Sequence, residues 1–488
     1  METYKIFPTI GISRVGSSKT DFFLSPEKTD SKGIEIDSGG NEIELSEYKD
    51  TNGLIKRQGC RFRVFKFDED TKEYKPIEEN LQEQVVWSVN LVNKKSAVVR
   101  PFSNMRPPNS PPSPPLQVKQ NSAEFEINGG INEISGKNTN PKEFAGRYKD
   151  TSVILGDIRT DKNGNLIVLG GYGISGSPSG SPVGPQPDPQ TGERVKTSSN
   201  NFYYNEDWYD DTSDGFVKAK INIDGEEIEI DGAWIIVAPP DYAPLVKGVV
   251  TLYDVIQQTN SEDLDVPNTY FNRDIKPMID RFSSHKWVHK ADYDIDISLD
   301  QMIDSSVNGR QYRIEVVRKI RKIENYLSQY KLTDIQKAHL RNYASGNFKL
   351  NINENSSSGN FLTKLSLDST IGQGFFPGIE GGIILKNPDI YKSEFTINHD
   401  KVNSGEITGL MALPWQADFL ECQGRWWPSQ RPDLITMKNG QKRAWARTNQ
   451  GPLDPLSDHK ILVNEFDKFG FINEVDGNQI ETERDPNF

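Results

Sequence analysis

The sequence predicts an α+β fold that is rich in β structure, with antiparallel, sandwich-like sheets first and a mixed helical and irregular region after them. Short alternating or apolar runs, separated by Gly, Pro and Asp turns, fill the N-terminal half. Helical periodicity appears only in the second half, and the C-terminal end is rich in Trp, Gly and Pro. We therefore predict a β-rich domain at 1–255 and a mixed α/β domain at 256–488.

Composition excludes several classes of protein. The chain has 488 residues, 34% of them hydrophobic, which is enough for a substantial core. Its net charge of -13 argues against a nucleic-acid partner, because phosphate binding requires a basic surface. No apolar run approaches the ~18 residues of a membrane span, so no membrane role is expected. The N-terminus lacks the layout of a secretory signal, which predicts cytoplasmic synthesis and leaves export by a non-standard route open.

Turn signals define the predicted strands. Residues 60–66 (CRFRVFK) alternate in polarity, as a half-buried strand does. Asn163-Gly164 and Asp224-Gly225 each separate two strand-like runs, which predicts two-residue hairpin turns. The apolar run 234–238 (WIIVA) ends at two prolines. The Pro-rich stretch 101–115 predicts an extended surface loop, with a docking motif as the less favoured alternative.

Helical signals appear in the second half of the chain, first at residues 315–330. One predicted helical face carries apolar residues and leaves a basic run exposed to solvent. Thr333 and Gln336 form a predicted capping box at the start of a further helix. The apolar face consists of Val316, Ile320, Ile323 and Leu327.

A glycine pattern at 171–176 matches the dinucleotide fingerprint GxGxxG. That site also requires a helix directly after the glycines, so that the helix N-terminus meets the pyrophosphate. Here Ser, Pro and Gly residues follow, and these cannot form that helix. A glycine-rich turn after a strand, continuing into a long loop at 173–190, is the favoured interpretation.

Two clusters could in principle bind a metal ion. His285 and His289 have the spacing of a helical zinc pair, but Lys286 stands where the zinc-protease motif requires Glu. Carboxylates crowd the stretch 207–214, but the calcium-loop spacing is absent. Structural turns and caps are the favoured interpretation, and no metal site is predicted. The crowded carboxylates are those of Asp207, Asp210, Asp211 and Asp214.

The aromatic-rich stretch 414–447 is the most unusual part of the chain. It contains four of the eight tryptophans and one of the two cysteines. Asp418 precedes Cys422 by four residues, so in a helix both side chains face the same way. A neighbouring carboxylate raises the pKa of a thiol and makes it a poor nucleophile. Either Cys422 is a buried structural thiol in a Trp-rich core, or chemistry other than thiolate attack explains the pair.

Motifs along the whole chain resemble the family of lysine ε-oxidases and glycine oxidases that carry cysteine tryptophylquinone. They occur in the order that the family has them. The matching stretches are Ile6–Gly16 (IFPTIGISRVG), Ile55–Gln58 (IKRQ), Leu155–Pro178, Trp208–Gly215 (WYDDTSDG), Ala233–Tyr242 (AWIIVAPPDY), Phe376–Glu380 (FPGIE), Thr408–Cys422 (TGLMALPWQADFLEC) and Trp426–Pro432 (WWPSQRP).

In that family the cofactor is built from the protein itself, by adding two oxygens to a tryptophan and joining its ring to a cysteine sulfur. The resemblance assigns these roles to Trp445 and Cys422, which makes the C-terminal region cofactor-bearing. It marks Asp418 as the acid needed for cofactor formation and as a proton acceptor. Trp426 and Trp427 are expected to form a wall of the site. The stretch 466–471 (FDKFGF) lies where the family pattern has a further tryptophan.

The resemblance also implies an activity and partners. A primary amine or amino acid is oxidatively deaminated to an aldehyde or oxo acid, O2 accepts the electrons, and ammonia and hydrogen peroxide are released. Trp208, Tyr209 and His399 are expected at the substrate pocket, although a surface or capping role is the favoured alternative for His399. The family implies a separate flavoprotein that matures the cofactor, and a homo-oligomer. The substrate itself stays open among lysine, glycine, other amino acids and peptide amines.

Two other functions remain as alternatives. The first is a catalytically silent homologue, with Cys422 and Trp445 unlinked, that acts as a binding or structural protein. The second is a metal-dependent enzyme that uses the carboxylates at 207–214.

Overall fold

The computed structural model describes most of the chain. The described residues are 3–99, 117–183, 205, 207–261, 266, 268–289, 299–326, 331–351, 358–372, 380–421, 427–437, 439–455 and 457–488. The predicted proline-rich loop at 101–115 lies outside these ranges, and so does the glycine-rich loop from residue 184 onwards.

Strands dominate the first half of the chain, and short hairpins recur near its end. The strands are β1 Tyr4–Phe7, β2 Ile10–Arg14, β3 Phe22–Leu24, β4 Ile34–Ile36, β5 Glu42–Glu44, β6 Arg57–Asp68, β7 Glu73–Pro76, β8 Val86–Asn93, β9 Val98–Val99, β10 Gln117–Val118, β11 Ile127–Ile134, β12 Lys142–Tyr148, β13 Thr151–Thr160, β14 Leu166–Gly170, β15 Ser175–Gly176, β16 Tyr209–Asp210, β17 Ser213–Ile223, β18 Glu226–Ala238, β19 Tyr391–Ser393, β20 Thr396–Ile397, β21 Leu434–Thr436, β22 Lys442–Ala444, β23 Arg447–Thr448, β24 Gly451–Pro452, β25 Phe471–Val475 and β26 Asn478–Thr482.

Of the α-helices in the described ranges, all but the first follow β18, the last long strand. The helices are α1 Glu79–Gln82, α2 Leu252–Asn260, α3 Lys276–Ser284, α4 Leu299–Ile303, α5 Arg310–Tyr326, α6 Asp334–Ser345, α7 Gly359–Asp368, α8 Trp415–Glu421 and α9 His459–Glu465. No helix in the described ranges is long and apolar enough to cross a membrane.

A fourteen-stranded sheet organises the N-terminal half and confirms the β-rich prediction. Its main path runs β11-β8-β17-β18-β1-β6-β14-β13-β12. Most neighbours are antiparallel, but β1 and β2 both run parallel to β18, and β3 runs parallel to β6. The sheet is therefore mixed: β1 and β2 lie between β18 and β6, parallel to β18 and antiparallel to β6.

Strand β18 contributes alternate side chains to two hydrophobic cores. Ala233, Ile235 and Val237 pack in one core with residues from the C-terminal end of the chain. Trp234 and Ile236 belong to the other core, which also includes side chains from helices α2 and α7. A strand that is covered on both faces reads as a continuous apolar run, and this explains the WIIVA sequence.

The two predicted hairpins both form, but their turns differ. Asp224 and Gly225 form a two-residue turn between β17 and β18, with φ values of 55° and 87°. This is the left-handed backbone that a type I′ turn requires. At Asn163-Gly164 the loop is longer, since Asp161 and Asn165 pair through an N–H to carbonyl bond of 2.9 Å. The two-residue prediction is wrong there, because the carboxylate of Asp161 organises a wider loop by accepting from Asn163 and Asn165.

A separate hydrophobic cluster forms in the helical region between residues 249 and 348. Val316 and Ile320 of α5 are buried in this cluster, as their helical spacing predicts. The predicted capping box of α6 is confirmed: Thr333 Oγ1 accepts from the backbone N–H of Gln336, and the Gln336 side chain accepts from the Thr333 N–H.

Candidate active site

Helix α8 carries Asp418, and buried charges hold its N-terminus in place. Asp210 Oδ2 accepts from the Trp415 backbone N–H at 2.9 Å and from Lys95 Nζ at 2.5 Å. Lys95 Nζ also donates to the Ala412 carbonyl at 2.7 Å. Both charged side chains are fully buried. A carboxylate at a helix N-terminus stabilises the unpaired N–H groups there, so this ion pair sets where α8 begins.

A second anchor joins α8 to the loop that follows β14. The fully buried Gln416 donates to the Gly173 carbonyl at 3.3 Å and accepts from Ser175 Oγ at 2.8 Å. Asp211 lies under the same loop, where its Oδ2 accepts from the Ile174 N–H at 3.0 Å. Burial, with the neighbouring charge of Asp210, raises the pKa of Asp211 to about 7. The glycine-rich pattern at 171–176 is therefore a docking turn for α8, as its sequence context indicates.

Asp418 has no exposed surface. It sits on α8 between Ala417 and Phe419, both of which are fully buried in hydrophobic clusters. Cys422 and Trp426, two of the predicted site residues, lie outside the described residues. The described part of helix α8 reaches Glu421, the residue before Cys422 in the sequence.

Trp445 is fully buried and held on several sides. Its indole Nε1 donates to the Gly470 carbonyl at 2.9 Å. Its ring packs against those of Tyr242 and Phe469, with centroids 4.7 and 4.8 Å away. Arg484 donates to the Trp445 carbonyl at 2.6 Å. These contacts restrict both the plane of the indole ring and its rotation about the side-chain bonds.

Tyr242 connects Trp445 to helix α8, and the sequence analysis did not select it as a site residue. Its ring lies 6.1 Å from Phe419 on one side and 4.7 Å from Trp445 on the other, between ring centroids. Its hydroxyl donates to the Phe466 carbonyl at 2.6 Å. Burial raises the pKa of Tyr242 well above its usual value, so the phenol stays protonated. The sequence feature that could have identified Tyr242 is its position as the last residue of the AWIIVAPPDY motif.

Three phenylalanines from the segment 466–471 surround this centre. Phe466 packs edge-to-face on Trp415 of α8, with centroids 5.4 Å apart. Phe471 packs on Tyr242 at 5.1 Å, and Phe469 packs on Trp445. Among the described aromatic side chains beyond residue 427, Phe466 is the one in ring contact with α8.

The structure brings several other predicted site residues to the same region. Trp427 is buried in the core cluster that contains Trp445. Trp208 packs in a small cluster with Leu413 and Ala417, and its indole donates to the Ser181 carbonyl at 3.0 Å. Tyr209 is half-buried and packs at the edge of the larger cluster, 5.3 Å from the ring of Tyr148.

His399 lies elsewhere in the described structure. Its ring packs on Trp234 at 5.3 Å and on Phe216 at 6.3 Å. Trp234 belongs to one hydrophobic core, and Trp445 belongs to the core on the other face of β18. Burial lowers the pKa of His399 below its usual value, so the imidazole is neutral at pH 7. The described contacts do not bring His399 together with Asp418 or Trp445.

The crowded carboxylates at 207–214 act as structural acceptors. Asp214 is fully buried and accepts from the Trp234 indole at 3.0 Å and from the Thr408 backbone N–H at 2.8 Å.

The ring Nδ1 of His285 lies 2.7 Å from the Arg281 carbonyl. Within the described ranges no group of three or more His, Cys, Asp or Glu side chains could hold a metal ion.

Two descriptions of one protein family match the chain. Residues 7–237 match the L-lysine epsilon oxidase N-terminal region, and residues 317–443 match the L-lysine epsilon oxidase C-terminal domain. The second match includes Asp418 and Cys422 and ends just before Trp445. Together the two matches cover more than half of the chain.

Similar proteins agree with these matches. L-lysine 6-oxidase from Marinomonas mediterranea is 27% identical over 543 aligned residues, which cover 86% of this chain and 70% of that protein. The crystal structure of the L-Lys epsilon-oxidase from the same organism superposes with a TM-score of 0.76 at 22% identity, covering 99% of this chain and 95% of that one. A second crystal structure of that protein, described as a Schiff base intermediate with L-Lys, superposes with a TM-score of 0.76 at 21% identity. The matched fold and both family descriptions lead to one conclusion: the chain belongs to the L-lysine ε-oxidase family, a family of amine oxidases.

Proposed function

We propose that this protein oxidatively deaminates a primary amine or amino acid, using a cysteine tryptophylquinone made from Cys422 and Trp445. The products are an aldehyde or oxo acid, ammonia and hydrogen peroxide, with O2 and water consumed. One observation carries the proposal: a fully buried Asp418, four residues before Cys422, lies on a helix that Tyr242 connects to a fully buried Trp445.

The described residues fit such a cofactor. A quinone built on an indole keeps the ring N–H, and Gly470 supplies an acceptor for it at 2.9 Å. Asp418 and Cys422 have i, i+4 spacing at the C-terminal end of α8, so a helical path brings both to one side of the helix. A carboxylate beside the thiol is unfavourable for a free nucleophile and acceptable for a sulfur that is consumed in a thioether.

When formed, the quinone would supply an electron sink for the substrate carbon that bears the reacting amine. We assign to Asp418 the role of accepting the proton that leaves this carbon. A positioned carboxyl group can take up a proton in this way, and Asp418 is fully buried on α8.

The other side chains position and shield the site. Tyr242 and Phe469 hold the indole plane, while Trp208 and Trp427 pack beside α8 and in the core cluster. These rings keep bulk water from the reacting atoms, which strengthens the electrostatic interactions inside the site.

Substrate and partners follow from the relatives as proposals. The relatives are named for L-lysine, so free lysine is the first substrate to test. A separate flavoprotein is proposed to add the quinone oxygens, and the mature protein is proposed to be a homo-oligomer. Without that flavoprotein, the chain would fold as an unprocessed precursor.

Peptide mapping by mass spectrometry tests the cofactor directly. The chain is produced together with a flavoprotein that matures another member of the family, and is then digested. We expect one species that joins the Cys422 peptide to the Trp445 peptide, with two oxygens gained and four hydrogens lost. Asp418→Asn, processed in the same way, is expected to leave the two peptides separate, since the acid needed for cofactor formation is missing.

The silent homologue is the competing function, and the family relation does not favour it. One observation supports the silent homologue. Among the described rings, Phe466 contacts α8 directly, whereas Trp445 is connected to α8 only through Tyr242. Two unmodified peptides, from protein made with a flavoprotein that matures another family member, would replace the oxidase proposal with this one.

A further inference from the structure

A polar cavity of about 210 Å³ lies among the helices of the second half of the chain. It is enclosed by α2, α3, α6 and α7, two of which pack on the sheet face opposite to Trp445. This volume corresponds to about seven water molecules. It is below the ~300 Å³ of typical drug-sized pockets and suits a smaller ligand.

The cavity lining contains equal numbers of acidic and basic side chains. The acids are Asp254, Asp274 and Asp368, and the bases are Arg273, Arg281 and Lys364. Burying charges is expensive, and apolar residues would join four helices at lower cost. A charged lining around open space offers hydrogen bonds and ion pairs to a polar ligand.

Pairing within the lining holds the cavity open. Arg281 bridges Asp254 and Asp368, with both N–H···O distances at 2.8 Å. Lys364 Nζ donates to Asp368 Oδ2 at 2.7 Å. These pairs fix side chains from α2, α3 and α7 relative to one another, so the cavity is preformed.

Several polar atoms at the cavity remain available. In the described structure, the hydrogen bonds that Asp254 accepts from Thr251, Arg281 and Gln336 all fall on Oδ2, which leaves Oδ1 open. The side chain of His339 is 10% exposed. Its Nδ1 pairs with Thr269 Oγ1 at 3.0 Å, and no described group bonds its Nε2. No described group bonds the side-chain amide of Gln257 either.

Positive charge is accessible at the same cavity. The side chains of Arg273 and Lys364 are 29% and 24% exposed, whereas those of Asp274 and Asp368 are 9% and 5% exposed. An open carboxylate oxygen and accessible cations around one small space match a ligand that carries both charges. A singly charged ligand would leave the balanced lining with an unpaired charge.

We infer that this cavity binds a small zwitterion with an ammonium group and a carboxylate, the chemistry of a free amino acid. The ammonium group bonds Asp254 Oδ1, the carboxylate meets Lys364 and Arg273, and Gln257 and His339 complete the hydrogen bonding. The inference does not rest on the proposed oxidase activity, since it uses none of the residues of that site.

Calorimetric titration of the full-length chain tests the inference. The chain is made without a flavoprotein, so that no turnover occurs. Glycine, β-alanine and 4-aminobutyrate serve as probes of increasing separation between the two charges. For each probe, the alkylamine and the carboxylic acid that lack one charge serve as matched fragments. We expect at least one zwitterion to bind, and both of its fragments to bind at least about tenfold more weakly.

Two variants locate the binding. Lys364→Met removes a cation at the cavity and is expected to weaken zwitterion binding by about tenfold. Its control is Lys276→Met, which breaks an i, i+4 pair of the same kind, Lys276–Asp280, away from the cavity lining. Gln257→Leu breaks no described hydrogen bond and is the second test if Lys364→Met does not fold.

Three outcomes would overturn the inference. The first is that no zwitterion binds. The second is that the fragments bind as tightly as the zwitterion. The third is that binding is unchanged in both Lys364→Met and Gln257→Leu, which would assign the ligand to another site. Failure of the proposed oxidase activity would change none of these readings.

Discussion

Tyr242 is the residue on which the geometry of the candidate active site depends most. Its ring separates Trp445 from Phe419 of α8, and its hydroxyl bonds the chain segment that also accepts from the Trp445 indole. One side chain therefore sets both the distance between the two halves of the site and the position of the segment 466–470.

Tyr242→Phe is expected to destabilise the protein by about 1–3 kcal/mol, because the buried Phe466 carbonyl loses its donor. Urea unfolding measures this change. Tyr74→Phe is the control, since no described group bonds the Tyr74 hydroxyl, and its effect is expected to stay within about 0.5 kcal/mol. Equal effects of the two substitutions would contradict a special role for the Tyr242 hydroxyl.

Asp211 gives the protein a specific pH dependence. Burial raises its pKa to about 7 in the folded state, against about 3.9 in the unfolded chain. Between these values the folded state binds more protons, so this group's contribution to stability falls as pH rises from about 4 to about 7. The full difference is on the order of 4 kcal/mol.

Asp211→Asn removes that dependence. The free energy of unfolding of the variant minus that of the parent is expected to rise between pH 4 and pH 7, and to be flat above that range. The difference curve isolates Asp211 from other buried carboxyls such as Asp241, whose pKa is also raised to about 7 by burial. A flat difference across the whole range would show that Asp211 is ionised in the fold throughout.

Among the elements, α8 is short, and its position comes from outside its own sequence. Its N-terminus is set by Asp210 and Lys95, which are distant from it in the chain and fully buried with each other. These tertiary contacts and the burial of its aromatic side chains hold α8 in place.

Lys95→Met is expected to destabilise the fold by about 3–5 kcal/mol, since it leaves the buried Asp210 carboxylate without its cation. The double variant Lys95→Met/Asp210→Asn is expected to be more stable than Lys95→Met alone, because no uncompensated charge remains. Urea unfolding of the two single variants and the double variant gives the coupling energy. Additive effects would indicate that the pair is hydrated in solution rather than buried.

Local signals predicted some elements correctly. The type I′ turn at Asp224-Gly225 and the capping box at Thr333 depend on neighbouring residues alone, and both form. The strand at 60–66 also forms, but β6 is buried on both faces rather than half-buried. Its arginines gave it a polar appearance, yet Arg61 is buried in ion pairs with Glu27 and Asp161 that are distant in sequence.

The candidate site was predictable only where a motif carried it. Trp208 shares a small hydrophobic cluster with Ala417, the residue before Asp418, and a role for Trp208 at the site stays a prediction. Tyr242 was not selected, since its role depends on three segments that meet only in the fold. The position of His399 beside Trp234 likewise depends on which face of β18 the segment around His399 packs against. A sequence pattern does not specify that face.

At the scale of the whole molecule, the two predicted domains share one core. The largest hydrophobic cluster combines strand residues such as Ile6 and Val64 with Trp415, Phe469 and Phe488 from the C-terminal end. The helical cluster between 249 and 348 is more self-contained. Because the largest cluster contains residues from both sides of residue 255, we expect the β-rich part to need the C-terminal segment in order to fold.

A fragment of residues 1–255 tests this dependence. Without the segment 415–488, the sheet face that carries Ala233, Ile235 and Val237 would be exposed to water as a large apolar patch. The fragment is expected to aggregate or to lack a cooperative unfolding transition, whereas co-expression with 256–488 as a second chain is expected to restore a soluble complex. Near-ultraviolet circular dichroism and urea unfolding measure both. A fragment 1–255 that is monomeric and unfolds cooperatively by itself would establish the β-rich half as an independent domain.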